Sequence, residues 1–166
     1  MAVEYYLELD GIQGESTKTG YENQIEISSF SWGASNPSSV VQGTGSGAGK
    51  VTISDFSVMK SLDTASAKLF QKCCDGSHID TGKVHCCESG GDGNKVEYLT
   101  YEFQEVFVDN VQWSGSEGAN VKPSESVSFS FKQVCVTYYP QNADGTKGDK
   151  QQAGWNVATN AAAAGS

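Results

Sequence analysis

Positive charge is scarce in this chain: 11 lysines and arginines stand against 20 aspartates and glutamates, giving a formal charge of -9 and a pI near 4.6. A nucleic-acid binder neutralises phosphates with clustered basic side chains, so this scattered minority argues against DNA or RNA as partners. Long apolar runs are missing too. No stretch of about 18 apolar residues exists, so no membrane insertion is expected. The opening segment, MAVEYYLELDG, lacks a basic n-region and an apolar h-region. It therefore predicts no Sec-type signal peptide and a product made in the cytoplasm and kept there as far as that route goes. What remains is a globular composition, 37% apolar and 19% charged over 166 residues. A chain near this size buries roughly 70% of its unfolded surface and can form a core without staples. The expectation is one domain over residues 1–160 with a disordered tail at 161–166.

Most of the chain alternates with period two. In VEYYLELD, Val3, Tyr5, Leu7 and Leu9 point one way and Glu4, Tyr6, Glu8 and Asp10 the other. Three segments change phase part-way: Ile25 and Ile27 give way to Phe30 and Trp32, Val51 and Ile53 to Phe56 and Val58, and Val127, Phe129 and Phe131 to Val134, Val136 and Tyr138. Such slips mark bulges, or strands buried on both faces, and suit a curved sheet. YLTYEFQEVFV reads as the cleanest strand, with Leu99, Tyr101, Phe103 and Phe107 on one face. The expected fold is mainly β: a small closed or nearly closed barrel of curved antiparallel strands with one external helix at about 63–75. That helix is predicted from an N-cap at Asp63, a C-cap at Gly76 and a stripe of Ala65, Leu69 and Cys73 with Phe70 beside it.

Chemical motifs are sparse. GTGSGAGKVT (43–52) imitates a P-loop, but the spacing requires glycine at Thr44 and serine or threonine at Val51, and Lys50 opens a strand where a helix is needed. The segment CCDGSHIDTGKVHCC, Cys73 to Cys87, holds four of the five cysteines and both histidines. Adjacent cysteines point in different directions on a helix or a strand, so each pair offers one well-placed metal ligand at most, and no metal or other cofactor is expected. A catalytic thiolate at Cys73 or Cys74 would sit at the unfavourable C-terminal end of the helix dipole. Packing is the economical reading for Cys73, Cys74, Cys86 and Cys87; a disulfide between helix end and strand, formed in oxidising surroundings after release, stays open. Of the carboxylates, Glu102 and Glu105 fall on opposite strand faces, and Glu105 alone falls on an apolar one. No catalytic pair emerges.

The order of several segments resembles the Hcp family, the hemolysin-coregulated proteins that form the inner tube of bacterial type VI secretion systems. The resemblance runs from about Ala2 to Asn160. It is carried by GES (14–16), SFSWG (29–33), GKVTISDFSVMKSLD (49–63), GSH (76–78), YLTYEFQEVFVDNV, ESVSFSFKQVCVTY, QNADGT and GWNVATN. It implies a barrel with an external helix, assembled as homohexameric rings that stack into a hollow tube inside a contractile sheath. The implied partners are further copies, a spike protein, the sheath and effectors carried in the lumen. Export would bypass Sec, into the medium or a target cell. No enzymatic activity is implied.

On this reading the loop from Asn36 to Lys50, with Gly43, Thr44, Gly45, Ser46, Gly47, Ala48 and Gly49 at its centre, is the expected ring-to-ring contact. Ser29 and Ser31 are the candidates for the lumen wall, where small polar side chains hold cargo weakly. Trp155 is expected to anchor the C-terminal segment. The family pattern often has proline in the first helical turn, where Ala67 stands here, and the paired cysteines are not part of it. The competing reading is a monomeric β-sandwich that binds carbohydrate through Trp32, Trp113 and tyrosines.

Overall fold

The computed structural model describes residues 2–37, 50–89, 95–118 and 120–163. The alternating segments form β1 (Val3–Leu9), β2 (Ile25–Ile27), β3 (Ser29–Ser31), β4 (Ala34–Ser35), β5 (Thr52–Ile53), β6 (Phe56–Ser61), β7 (Ile79–Ser89), β8 (Lys95–Ser114), β9 (Ser124–Tyr138), β10 (Gln151–Asn156) and β11 (Ala161–Ala163), with α1 (Ser66–Asp75) between β6 and β7. The main sheet runs β11-β10-β9-β8-β7-β1-β2, all neighbours antiparallel, and β6 pairs with both β3 and β9. At Ser28 the chain leaves β1 and turns onto β6, its amide donating to the Met59 carbonyl at 2.7 Å. The circuit β1, β2 and β3, β6, β9, β8, β7 therefore nearly closes into a barrel.

Two of the phase slips are handovers of this kind. Ile25 and Ile27 pack beneath β1, whereas Phe30 lies opposite Val58 on β6. Ile53 belongs to β5, paired with β4, and Phe56 opens β6. The third slip is shared by two strands. Leu99, Tyr101 and Phe103 face inward with Val134 and Val136, then Val106 and Val108 face inward with Phe131 and Phe129, in unbroken register. Glu105 absorbs the switch in a left-handed conformation, φ 50°. Two expectations are corrected by this: Phe107 is 38% exposed on the outer face, and Glu105 lies outside the apolar face, 3.5 Å from the Lys132 ammonium. A bulge at Asp109, between Val108 and Asn110, adds further curvature to β8.

The interior is aromatic. Phe56 stacks on Phe129 at 5.4 Å and meets Phe103 and Tyr101 edge-on at 5.2 Å, and Phe103 lies 4.7 Å from Phe131. Offset and edge-to-face pairs add to the area these rings bury.

The helix begins later than the capping signal suggests. Asp63 stands outside it, its carboxylate accepting from the Ala65 amide at 3.0 Å and from Lys60 Nζ at 2.8 Å. Gly76 ends the helix at φ 70°, donating its amide to the Lys72 carbonyl. Ala65, Ser66 and Leu69 are buried, Cys73 is half-buried, and Phe70 is exposed, lying 5.5 Å from the Trp113 ring. β7 leaves β8 after Val106, and α1 packs on β8 beyond that point, covering an edge that would otherwise be open. The tail expected from residue 161 is partly ordered: Ala161–Ala163 pair with Gly154–Asn156, and residues 164–166 lie outside the described part.

A candidate wall of serines

Ser29 and Ser31 lie on β3 with their side chains turned away from the core, both exposed. Register extends them into rows across four strands. One row runs Ser31, Ser57, Ser128, Asn110; the next runs Ser29, Met59, Ser126, Gln112. Ser61, Ser124 and Ser114 make a third, and Ser130 faces Phe107. Ser57 Oγ and Ser128 Oγ are 3.0 Å apart. The opposite side of the same strands is the core, for example Phe30, Val58, Val127 and Val111. Alternation thus divides these strands into an apolar inner face and an outer face of short hydroxyls. Ser57, Ser126, Ser128 and Ser130 were not singled out by sequence. For Ser126, Ser128 and Ser130 the signal was present in SESVSFSFK, where serine occupies every second position.

The predicted stacking residues Gly43–Gly49 lie outside the described residues. All five cysteines are free. Cys73 and Cys74 end the helix, Cys74 exposed; Cys86 is fully buried in the core beside Val84, and Cys87 is buried on the other face of β7. Burial pushes the Cys86 thiol up to about 12, its neighbour Cys87 and the Glu97 carboxylate further disfavouring a thiolate there. Burial likewise raises Cys87. These are protonated thiols with little nucleophilic character.

The histidines serve different neighbours. His78 pairs with Asp80 at 3.2 Å. His85 is buried between Glu97, 2.7 Å from Nδ1, and Glu8, 3.0 Å from Nε2. Tyr21 also donates its hydroxyl to Glu97 at 3.0 Å and stacks on Tyr6 at 4.6 Å. Burial pushes the Glu97 carboxyl up, but the hydrogen bond and charge of His85 and the Tyr21 hydroxyl outweigh it and hold it below the usual range. The cluster fastens residues 13–24 to the outside of β1, β7 and β8. Among the described residues no three metal-ligating side chains converge, and no helix is long and apolar enough to cross a membrane.

A second buried set lies at the far end of the barrel. Lys60 Nζ sits 2.6 Å from Glu125 Oε1, both side chains fully buried, and bonds Asp63 and Ser66 as well. The Trp113 indole donates to the other Glu125 oxygen. The Trp113 ring is 50% exposed but tilted 42° to Phe70, so the pair forms no flat platform for a sugar ring. Trp32 and Trp155 pack against the core.

Comparison with known proteins points one way. A family model described as "Type VI secretion system effector, Hcp" matches residues 6–138. Protein hcp1 of Pseudomonas aeruginosa is 37% identical over 161 residues, spanning 96% of this chain and 98% of its own. A solved structure of a type six secretion system protein superposes with a TM-score of 0.90 at 34% identity, covering 98% of this chain and all of the other. Hcp1 from Salmonella typhimurium gives a TM-score of 0.78 at 29% identity, with the same coverage.

Proposed function

The chain belongs to the Hcp family of type VI secretion proteins, and from that premise we propose that it is a structural subunit of a secretion tube. Six copies close into a ring, rings stack, and the outer face of β3, β6, β9 and β8 lines the lumen. The observation that carries this reading is the serine wall. A face of Ser29 and Ser31 on β3, Ser57 on β6 and Ser126, Ser128 and Ser130 on β9 offers short, neutral hydroxyls across three paired strands. Such a surface holds a passing polypeptide weakly and lets it go, which suits carriage better than catalysis.

Ring closure requires a heterologous contact between two different surfaces of the same chain. Stacking is assigned to the segment 43–49, and the spike, the sheath and cargo effectors are the further partners. The subunit is assembled in the cytoplasm and expelled with the tube, so it needs no Sec signal. Light scattering with negative-stain microscopy tests the reading. Ring-shaped particles of six subunits are expected, and a chain that stays monomeric at high concentration overturns it.

A further inference from the structure

We propose that His85 clasps residues 13–24 to the barrel firmly only while both of its ring nitrogens carry protons, so that the hold weakens as pH rises. A carboxylate accepts hydrogen bonds and donates none, whereas a neutral imidazole offers one donor and one bare lone pair. Both His85 nitrogens face carboxylates: Nδ1 lies 2.7 Å from Glu97 Oε2, and Nε2 lies 3.0 Å from Glu8 Oε2. A neutral ring would turn its lone pair on one of them. Glu97 does not supply the missing proton, because its Oε2 also accepts the Tyr21 hydroxyl at 3.0 Å and its carboxyl is held below the usual range. The geometry is that of an imidazolium between two carboxylates.

The surrounding charges come from four elements. On β1, Tyr6 lies opposite His85 and Glu8 opposite Lys83. On β7 itself, Lys83 and Cys87 share its face by alternation. On β8, Glu97 meets the ring, and the Lys95 ammonium bonds Glu4 and the Tyr6 hydroxyl. From residues 13–24, the Tyr21 ring stands edge-on to His85 at 5.3 Å, and Lys18 reaches Glu4 at 3.9 Å. Lys83 is paired with Glu102 at 3.1 Å. Among the described residues no lysine forms an ion pair with Glu8 or Glu97, so His85 is the cation for both. When it loses a proton, the tautomer with Nδ1–H keeps Glu97 and sets a lone pair against Glu8, whose side chain is 56% exposed and turns to water. Glu97, at 21%, stays largely out of water without its counter-charge while still carrying Tyr21. The hold is thus full on the acid side of the imidazole range and weakens above it; below about pH 4.5 the carboxylates themselves protonate. Glu8 lines one groove with Gln13, Glu22, Gln24, Lys68 and Glu102, so the proton also sets the charge of that groove and the firmness of the wall that residues 13–24 supply.

The test is amide hydrogen exchange by mass spectrometry on the full chain between about pH 5 and 8, where imidazoles change charge. Protection of the peptide covering residues 13–24 is corrected for the intrinsic pH dependence of exchange and compared with a β9 peptide. In the wild type it should fall about tenfold across this range, the order of one charge-assisted hydrogen bond, while β9 stays level. A glutamine at position 8 donates to a bare nitrogen as readily as it accepts from a protonated one, so Glu8→Gln should shrink the fall to less than about twofold. His85→Gln has no ring to titrate and should show low protection at every pH. Wild-type protection that does not change overturns the proposal, and so does a fall of wild-type size in either variant. Should His85→Gln fail to fold, Glu8→Gln decides alone, since its side chain is more than half exposed. The outcome is independent of whether the chain forms rings.

Discussion

Lys60 and Glu125 are joined at 2.6 Å with no exposure on either side chain. Removing one member of a buried charged network leaves the others under-compensated away from water. Glu125→Ala leaves the buried Lys60 ammonium with Asp63 as its remaining carboxylate and the Trp113 indole without its acceptor, so it is expected to lower unfolding stability by about 3–5 kcal/mol in urea titrations. Replacing both Lys60 and Glu125 with Met and Leu still strands Asp63 and Trp113 and should recover only part of that loss. At Glu97 the folded-state carboxyl is held below its ordinary range. A depressed carboxylate contributes stability above its unfolded value and loses it as pH falls through the folded one. Stability should thus drop below about pH 4.5 (the ordinary carboxylate range), and Glu97→Gln should flatten that acid limb; an unchanged limb would remove Glu97 from the account. The cysteines give a third outcome. Cys74 is exposed while Cys86, Cys87 and Cys135 are buried, so a thiol reagent should label Cys74 quickly and the buried three only after denaturation. A free-thiol count below five in denaturant would reveal a disulfide.

Glu105 decides how β8 and β9 are built as elements. Its φ of 50° lets both strands exchange their buried faces at one level without a change of register. A left-handed conformation costs a non-glycine residue about 1–2 kcal/mol, and glycine's extra unfolded-state freedom takes back roughly 0.5–1 kcal/mol. The surface pair with Lys132 at 3.5 Å contributes little. Glu105→Gly is expected to raise the denaturation midpoint slightly, and Glu105→Val to lower it. If both behave alike, strain at this position is not what sets the switch. The same residue shows why strand phase was only half legible. Alternation in YLTYEFQEVFV is real on either side of Glu105, but no residue there announces a positive φ, because glutamate is not a residue type that signals one. The helix start was misplaced for a related reason: Asp63 carries a cap signal, yet its carboxylate is drawn to Lys60, and the helix opens at Ser66.

At the scale of the whole molecule, assembly and stability are coupled. A ligand or subunit that binds only the folded form raises apparent stability with its concentration. If the chain works as a ring, its thermal midpoint should climb as protein concentration rises well above the micromolar range, and a midpoint independent of concentration would argue for a self-sufficient monomer. The sequence by itself determined the β-rich class, the single external helix, the acidity that disfavours nucleic acid, and the family, since these depend on composition, short-range periodicity and the order of local segments. Tertiary structure alone decided which strands neighbour which, and hence that Ser29 and Ser31 continue into Ser57, Ser126, Ser128 and Ser130 as one wall. It also decided that Phe107 faces outward. Those facts rest on register between segments far apart in the chain, and register is set by packing of the whole core, which no local pattern encodes.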